Sequence, residues 1–269
     1  MSTRNSWLFP PRTREVQFDE KWSFVTKKEK HCDPDNPADR RQGDNWDHVA
    51  FDPEHRLVVS VVPGKRTEDK TQQLVEEFRE RTGGRLMNLM TSDEHPAYKT
   101  AIFAAYAVAR EQPRTGRRGR PRKVKKIVPK KLKYATVHKV RENGRVVKVT
   151  TRVVFGTVAA VLAALALSLV SKVVNTVFVE RHNGSDRNRN RRKVRKTCCF
   201  SKDWQVHEAM TYLTMYSYNF CWSVRTLRKK VGRKKYQART PAMVAGLTDH
   251  VWTIQEWATY PAKRCIKGG

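Results

Sequence analysis

Alternating apolar and polar residues in the first half of the chain predict a three-stranded meander followed by helices and a further strand. Residues 16–25, VQFDEKWSFV, alternate with the period of a β-strand, in which Val16, Phe18, Glu20, Trp22 and Phe24 share one face. Two shorter apolar runs, 48–51 and 56–62, are separated by the turn-like sequence DPEH and complete the meander. The pattern then predicts a helix, a buried strand and a second helix, at 67–82, 85–91 and 98–109.

The second half of the chain is predicted to contain a hairpin and a long amphipathic helix. Residues 134–154 alternate on both sides of Asn143-Gly144, a pair of residues that favours a tight hairpin turn. Residues 204–220 have the apolar spacing of a helix with one buried face. The basic segment 225–239 is predicted to be a loop, followed by a short helical tail.

One apolar stretch has two interpretations. Residues 153–170 contain no charge and reach the lower limit of length for a membrane span, so a basic protein anchored in a membrane is one alternative. Gly156 interrupts the stretch as a strand-to-helix junction would, and it leaves too few residues to cross a bilayer. We therefore predict a buried helix over 158–170, a buried strand over 173–179 and a helix from Glu180.

Net charge narrows the class of partner. Lys and Arg number 55 and Asp and Glu number 26, which gives a formal net charge of +29. Three stretches, 110–133, 180–200 and 225–239, together carry +25 of that charge. Positive charge concentrated in this way is typical of surfaces that contact a phosphate backbone. A polyanion such as DNA is therefore the expected partner, rather than a neutral metabolite.

The cysteines and the first residues indicate a cytoplasmic protein. The number of cysteines is 5, an odd number, and no two of them have the CxxC spacing of a zinc site. The first residues lack the apolar segment of a secretory signal peptide. We expect free thiols in a reducing cytoplasm, no membrane contact, and association with the nucleoid if DNA is the partner.

Three acidic residues lie where the predicted elements would bring them together. Asp19 is in the middle of the first strand, Asp93 follows the fourth strand, and Glu180 begins a helix. Carboxylates that meet at one sheet edge can hold two Mg²⁺ or Mn²⁺ ions, which stabilise the attacking and leaving oxygens of an in-line phosphoryl displacement. The chain has 26 acidic residues, so spacing alone does not single out these three.

The sequences around these residues resemble the catalytic motifs of insertion-sequence transposases of the IS-one type. The segments are VQFDEKWSFV around Asp19, LMTSDEHPAY around Asp93 and VNTVFVERHN around Glu180. Segments 196–221 and 239–257 are also similar to that family, so the resemblance covers nearly the whole chain. It implies a ribonuclease-H-like α/β fold, a mixed sheet with flanking helices, and a DNA cut-and-join reaction. It also implies that the three acidic residues are catalytic and bind the two metal ions.

The chain departs from the family pattern at several positions. Glu94 follows Asp93 where Gly is usual, and GSDRNRNRRKVRK stands where the third motif usually continues with apolar and hydroxyl residues. Trp222 and the two residues after it stand where an Arg-Pro-His run is common. These departures leave a second hypothesis open, a catalytically inactive DNA-binding relic of a transposase.

Basic side chains in two stretches are expected to contact double-stranded DNA, at the element ends and at the target. Residues 117–123, RRGRPRK, contain the RGRP core of an AT-hook-like element, whose glycine lets an extended backbone reach the floor of the minor groove. The residues after Glu180 are expected to clamp phosphates beside the catalytic site. The predicted DNA contacts are Arg117, Arg118, Arg120, Arg122, Lys123, Arg181, Asn183, Arg187, Arg189, Arg191, Arg192, Lys193 and Arg195.

The predicted domain organisation is a single catalytic domain with basic additions. Residues 1–15 form an irregular lead-in, and 16–220 form the catalytic domain with its basic linker at 110–133. Residues 221–269 form a basic loop and a tail. Full-length relatives also carry an N-terminal zinc-binding segment and helix-turn-helix, for which the lead-in is too short. The chain therefore resembles a catalytic half, a truncated copy or the second reading frame of a split element. Its candidate protein partners are a separate DNA-reading chain or reading frame and a second copy of itself.

Overall fold

The chain folds around a six-stranded mixed sheet in the computed structural model, which describes residues 12–110 and 124–260. Within those residues the strands are β1 (Glu15–Val25), β2 (Gly43–Asp52), β3 (Leu57–Gly64), β4 (Leu89–Asp93), β5 (Val108–Arg110), β6 (Lys125–Ile127), β7 (Tyr134–Glu142), β8 (Arg145–Phe155), β9 (Lys229–Gly232) and β10 (Lys235–Gln237). The sheet order is β3-β2-β1-β4-β7-β8. The β1–β4 and β4–β7 pairs are parallel, and the other pairs are antiparallel. The short strands β5 with β6 and β9 with β10 form two further pairs.

Helices cover both faces of this sheet. The helices of the described residues are α1 (Glu68–Arg81), α2 (Ala97–Tyr106), α3 (Val158–Leu167), α4 (Val177–Arg189), α5 (Trp204–Cys221), α6 (Pro241–Val244) and α7 (Ile254–Thr259). On one face, Phe78 of α1 and Ile102 of α2 pack against Phe18 of β1. On the other face, Val179 of α4 and Met215 of α5 pack against the strands of the meander. The fold is therefore a three-layer α/β arrangement with the sheet in the middle.

Several predicted elements are confirmed. The meander and helices α1 and α5 occur close to their predicted positions. Strand β4 begins at Leu89 instead of 85, and α2 ends at Tyr106 instead of 109, before the short strand β5. Thr67 caps α1 by accepting a hydrogen bond from the Lys70 backbone N–H, although no capping box forms. The predicted hairpin is β7–β8, and its turn residues Asn143 and Gly144 have φ values of 47° and 76°. Both residues are thus in the left-handed region that a tight two-residue hairpin turn requires.

The predicted strand at 173–179 is wrong, and the predicted helix before it is shorter than expected. Helix α3 ends at Leu167, residues 168–176 are irregular, and α4 begins at Val177. Side chains of the neighbouring strands satisfy the backbone of the irregular segment, since Thr91 Oγ1 and Gln17 Nε2 both donate to the carbonyl of Asn175 at 3.0 and 2.9 Å. The β-branched segment therefore lies against the sheet without pairing as a strand. Glu180 consequently lies in the first turn of a helix.

Two more boundaries differ from prediction. Strand β2 begins at Gly43 instead of 48, because its polar residues are buried in pairs with other side chains instead of lying in a solvated loop. The predicted basic loop at 225–239 contains the β9–β10 hairpin. In the described parts of the chain no helix is both long and apolar enough to cross a membrane, and α3 spans only Val158–Leu167.

The polar face of β1 is covered by α4 and α5. Gln17 Oε1 accepts hydrogen bonds from the backbone N–H groups of Phe178 and Val179, each at 3.1 Å, and so satisfies the start of α4. Alternate residues farther along the strand contact later positions of the two helices. Helix α4 is thereby fixed along β1, and the position of Glu180 relative to Asp19 follows from this contact.

Candidate active site

An open cavity of about 690 Å³ lies where β1, β4, β7 and the first turns of α4 meet. Asp19, Asp93 and Glu180 all line it. Strand register accounts for the first two, because Gln17 pairs with Thr91 and each aspartate lies two residues farther along its strand. Neighbouring strands are about 4.8 Å apart, so the two aspartates are level on adjacent parallel strands. The structure therefore brings the three predicted acidic residues to one cavity from three separate elements.

Asp19 is held at the base of the cavity by a buried amide. The Asn183 Nδ2 group donates a hydrogen bond of 2.8 Å to Asp19 Oδ2. Burial, together with the negative charges of Glu20 and Asp93, raises the pKa of Asp19 to about 7, and the hydrogen bond from Asn183 lowers it by less than these causes raise it. Asn183 was predicted as a DNA contact. It is buried, and the structure assigns its amide to positioning the Asp19 carboxylate.

Asp93 ends β4 and faces the same space. Its Oδ1 atom accepts a hydrogen bond of 3.1 Å from the His95 backbone N–H, and its Oδ2 atom is 3.8 Å from an Arg66 nitrogen. Burial raises the pKa of Asp93, and the charge of Glu20 adds to that increase. The ionised forms of Asp19 and Asp93 are therefore less stable than those of carboxylates in water. A nearby cation would stabilise them.

Glu180 lies at the wall of the cavity and is tied to two neighbours. Its Oε1 atom accepts hydrogen bonds from the Lys139 ammonium of β7 and from the Thr176 hydroxyl. Its side chain is 42% exposed, so water reaches it. Lys139 is thus the cation that neutralises Glu180 in this structure.

Glu20 is a fourth carboxylate at the cavity and was missed in the sequence. Its side chain is only 1% exposed and pairs with Arg66 at 2.9 Å, while its Oε1 atom is buried with no hydrogen-bond partner in the described residues. The alternation of β1 contains the signal. Glu20 falls in the same phase as Val16 and Phe18, so an acidic residue occupies the apolar face of the strand.

The donor set fits hard divalent cations in kind and in charge. Carboxylate oxygens are the ligands that Mg²⁺ and Mn²⁺ prefer. Burial and neighbouring negative charges raise the pKa values of Asp19 and Asp93, and among the described residues Glu20 Oε1 is a buried oxygen without a hydrogen-bond partner. As the side chains stand, no three acidic, histidine or cysteine residues of the described chain converge on one point where a single ion would sit.

Basic side chains surround the acidic centre. Arg187 and Arg195 from the predicted phosphate clamp line the cavity, as do Arg66, Lys139 and Arg141, which the sequence did not single out. Burial lowers the pKa of Arg187, and the neighbouring Arg195 charge lowers it further. An anion at this position would relieve that repulsion. The cavity thus combines acidic groups suited to metal ions with a basic rim suited to phosphates.

The remaining predicted DNA contacts are placed differently. Arg181 and Arg189 lie on the opposite side of α4 and line another cavity. Arg191 is exposed and Arg192 is partly exposed, in the turn after α4. The predicted AT-hook residues, which are Arg117, Arg118, Arg120, Arg122 and Lys123, lie outside the described residues.

Lys193 was predicted as a DNA contact, and its burial contradicts that prediction. Its side chain is 1% exposed and its ammonium lies 2.9 Å from Asp47 Oδ1 and 2.7 Å from His207 Nε2. Lys21 pairs with the other oxygen of Asp47 at 3.1 Å and also with Asp186 of α4. Lys193 belongs to a basic stretch of the sequence, but its charge neutralises a carboxylate inside the protein. Asp47 and Asp186 are both buried and therefore require buried cations.

When the chain is compared with known proteins, no protein-family model and no curated protein matches it.

Proposed function

We propose that the protein is a DNA transposase that uses divalent metal ions to cleave a DNA strand at the end of an insertion sequence and to join it to target DNA. One observation carries the proposal. Asp19, Asp93 and Glu180, which are 74 and 87 positions apart in the chain, line a single open cavity with a basic rim. Acidic groups for metal ions and basic groups for phosphates are the two requirements of metal-assisted phosphodiester chemistry.

The sheet arrangement supports the same proposal. An antiparallel meander, β3-β2-β1, continues through parallel pairing into β4 and β7, with helices on both faces. This arrangement is compatible with a ribonuclease-H-like fold. In such a sheet the acidic residues of β1 and β4 are neighbours because their strands are neighbours. The fold therefore accounts for the position of the cavity as well as for its residues.

In the proposed reaction, Asp19, Asp93 and Glu180 would hold the two Mg²⁺ or Mn²⁺ ions. When bound, such ions stabilise negative charge on the phosphate and favour ionisation of the nucleophile. Asn183 fixes the orientation of the Asp19 carboxylate. Water hydrolyses the phosphodiester and leaves a 3′-hydroxyl and a 5′-phosphate. The 3′-hydroxyl then attacks a phosphorus atom of the target strand, forms a new phosphodiester and displaces the 3′-oxygen of the neighbouring target nucleotide as its hydroxyl. These roles need no covalent intermediate on the protein.

The rim residues position the DNA. Arg187, Arg195 and Arg141 line the cavity, and in the proposed reaction they would contact the phosphates that flank the scissile bond. Lys139 pairs with Glu180 in this structure, and it would pair with a phosphate oxygen once Glu180 binds an ion. Binding of substrate and binding of metal are thus coupled through one lysine.

The second hypothesis, a catalytically inactive relic, shares the fold and the DNA contacts. One observation favours this hypothesis. Glu94 departs from the family pattern, and its side chain lines the cavity and pairs with His138 at 2.6 Å. An additional acidic group in the cavity would compete for metal ions or for the basic rim. Cleavage, as opposed to binding, distinguishes the two hypotheses.

The test is strand cleavage of duplex DNA that carries the repeats flanking the gene, with Mg²⁺ or with EDTA. We expect Mg²⁺-dependent nicking by the native protein and none by Asp19→Asn or Asp93→Asn. The variant Asp35→Asn removes the same charge from an exposed loop and should cleave normally. DNA binding by the two cavity variants should be nearly unchanged, because removing a carboxylate also removes repulsion of phosphate. Binding without any cleavage by the native protein would favour the inactive relic.

A further inference from the structure

A second cavity, of about 410 Å³, lies on the side of α4 that faces away from the acidic cavity. Aromatic rings and arginines make up much of its wall. Phe178, Tyr218 and Trp222 contribute rings, and Arg56 and Arg189 contribute stacked guanidinium groups. In the described parts of the chain no acidic residue lines this cavity. Its chemistry is therefore that of a site for an anion with an aromatic group.

Arg189 is a wall residue of this cavity whose guanidinium is stacked on aromatic rings but is poorly satisfied by hydrogen bonds among the described residues. Its Cζ atom lies 4.3 Å from the centre of the Tyr218 ring and 5.4 Å from that of Trp222. Both terminal nitrogens, Nη1 and Nη2, are buried without a hydrogen-bond partner in the described residues. Its Nε atom makes only a long contact of 3.4 Å with the Ser185 carbonyl. Buried donors without a partner are unfavourable, so an anion that accepted from them would bind favourably.

The other side chains of the cavity are suited to a base and a phosphate. Trp222 leaves 49% of its surface exposed, so part of its ring is open to solvent beside the Arg189 guanidinium. Arg181 and Arg225 are exposed at the same mouth. Arg56 stacks on Phe178, with its Cζ atom 3.9 Å from the ring centre. Aromatic rings stack on nucleic-acid bases of any sequence, and the arginines attract the backbone.

We propose that this cavity binds an unpaired nucleotide of single-stranded DNA, with the base stacked on Trp222 and the phosphate held by Arg189 and its neighbouring arginines. The nucleotide must be unpaired, because in a duplex the faces of the bases are stacked on one another. The identification of DNA as the ligand rests on the function proposed above. The composition of the cavity is independent of that function.

Helix α4 connects this cavity with the acidic one. Glu180, Asn183 and Arg187 face the acidic cavity, whereas Arg181 and Arg189 face the second. A helix is about 10 Å across, which corresponds to about three nucleotide steps along a strand. A strand that separates from its complement near the cleavage site would therefore reach the second cavity within a few nucleotides.

Binding of a fluorescent oligodeoxythymidylate of about 10 nucleotides, a usual site size for single-strand binders, tests the proposal in the full-length protein. We expect Trp222→Ala to weaken single-strand binding about tenfold, because one stacked base is lost. Binding of a duplex of equal length should change less than about twofold, because phosphate contacts dominate duplex affinity. Trp222→Phe should restore most of the single-strand affinity, since it keeps an aromatic face.

The chain offers a matched control. Tyr236 of β10 is also 49% exposed, and the Arg228 Cζ atom lies 4.1 Å from its ring centre, but it is outside the cavity. Tyr236→Ala should leave the ratio of single-strand to duplex affinity unchanged. Equal losses on both kinds of DNA for Trp222→Ala, no loss on either, or the same change of ratio for Tyr236→Ala would overturn the proposal.

Photo-cross-linking of the native protein gives a measurement that does not depend on a variant. An oligonucleotide that contains 5-bromodeoxyuridine should form its adduct on a peptide that includes Trp222, and adducts found only elsewhere would contradict the proposal. All binding is measured in EDTA and repeated with Asp19→Asn, so that cleavage plays no part. A failure of cleavage therefore leaves this site standing, and a failure of this site leaves the cleavage test unaffected.

Discussion

The Asp19→Asn variant should make the metal-free protein more stable at neutral pH. Asp19 lies beside Glu20 and Asp93 in the acidic cavity, and burial together with these charges raises its pKa from 3.8 to about 7. A carboxyl whose pKa is higher in the folded state than in the unfolded chain destabilises the folded protein when it is ionised. An amide of nearly the same shape removes that charge and can still accept the hydrogen bond from Asn183.

The size and the pH window follow from the same pKa values. Below pH 3.8 the carboxyl is protonated in both the folded and the unfolded chain, so it has no effect on the free energy of unfolding. The destabilisation grows as the pH rises above 3.8 and is complete above about 7, where it reaches about 4 kcal/mol at 1.36 kcal/mol per pKa unit. Water in the open cavity screens the charges, so we expect about 2 kcal/mol at pH 8.

Urea unfolding measured between pH 4 and pH 8 in EDTA tests this expectation. The difference in free energy of unfolding between Asp19→Asn and the native protein should be near zero at the acidic end and should grow with pH. Asp35→Asn, on an exposed loop, provides the matched control and should show no such growth. Added Mg²⁺ should stabilise the native protein more than the variant, because an ion bound only to the folded state shifts the equilibrium towards it.

Two results would refute the reasoning. If Asp19→Asn were less stable than the native protein at pH 8 in EDTA, burial and the neighbouring charges would not destabilise the ionised Asp19 carboxylate. If the difference in stability were the same at every pH, it would not arise from the titration of Asp19. Increased stability would also show that any loss of cleavage by this variant comes from chemistry and not from unfolding.

Three further predictions concern the interior and the basic linker. Lys193→Met should lower the free energy of unfolding by about 3 kcal/mol in a denaturant titration, because Asp47 loses one of its two buried cations. Asn219→Ala should lower it by about 2 to 4 kcal/mol, since the Asn219 amide exchanges two buried hydrogen bonds with the backbone of β3, and circular dichroism during thermal unfolding measures the loss. Replacing Arg118 and Arg120 by Ala should weaken binding to A·T-rich duplexes more than to G·C-rich ones in a gel-shift assay, and an equal loss would reduce the segment to a plain basic linker.

Much of the fold could be predicted from local patterns in the sequence. The alternation around Asp19 predicts β1, and the Asn143-Gly144 pair predicts the β7–β8 hairpin, because both signals depend on residues that are close in sequence. The segment at 173–179 shows the limit of such patterns. Its β-branched residues favour a strand, but side chains from Gln17 and Thr91 satisfy its backbone without strand pairing.

The candidate site could be predicted only in part for the same reason. Asp19, Asp93 and Glu180 were named from motifs, and the alternation of β1 marks Glu20 as an acidic residue on the apolar face. Arg66 enters the cavity through a contact that no local pattern records. Arg66 lies 46 positions from Glu20 and carries no sequence signal of its own.

The sequence by itself determined that β1 has an apolar face and a polar face, because side chains alternate along any strand. Only the tertiary structure decided what covers the polar face. Gln17 holds the start of α4, Asp19 receives its hydrogen bond from Asn183, and Lys21 pairs with buried carboxylates. A polar strand face usually meets water, but here it meets a helix whose polar groups match it one by one. That match depends on residues about 165 positions away, and charge or periodicity within either segment does not record it.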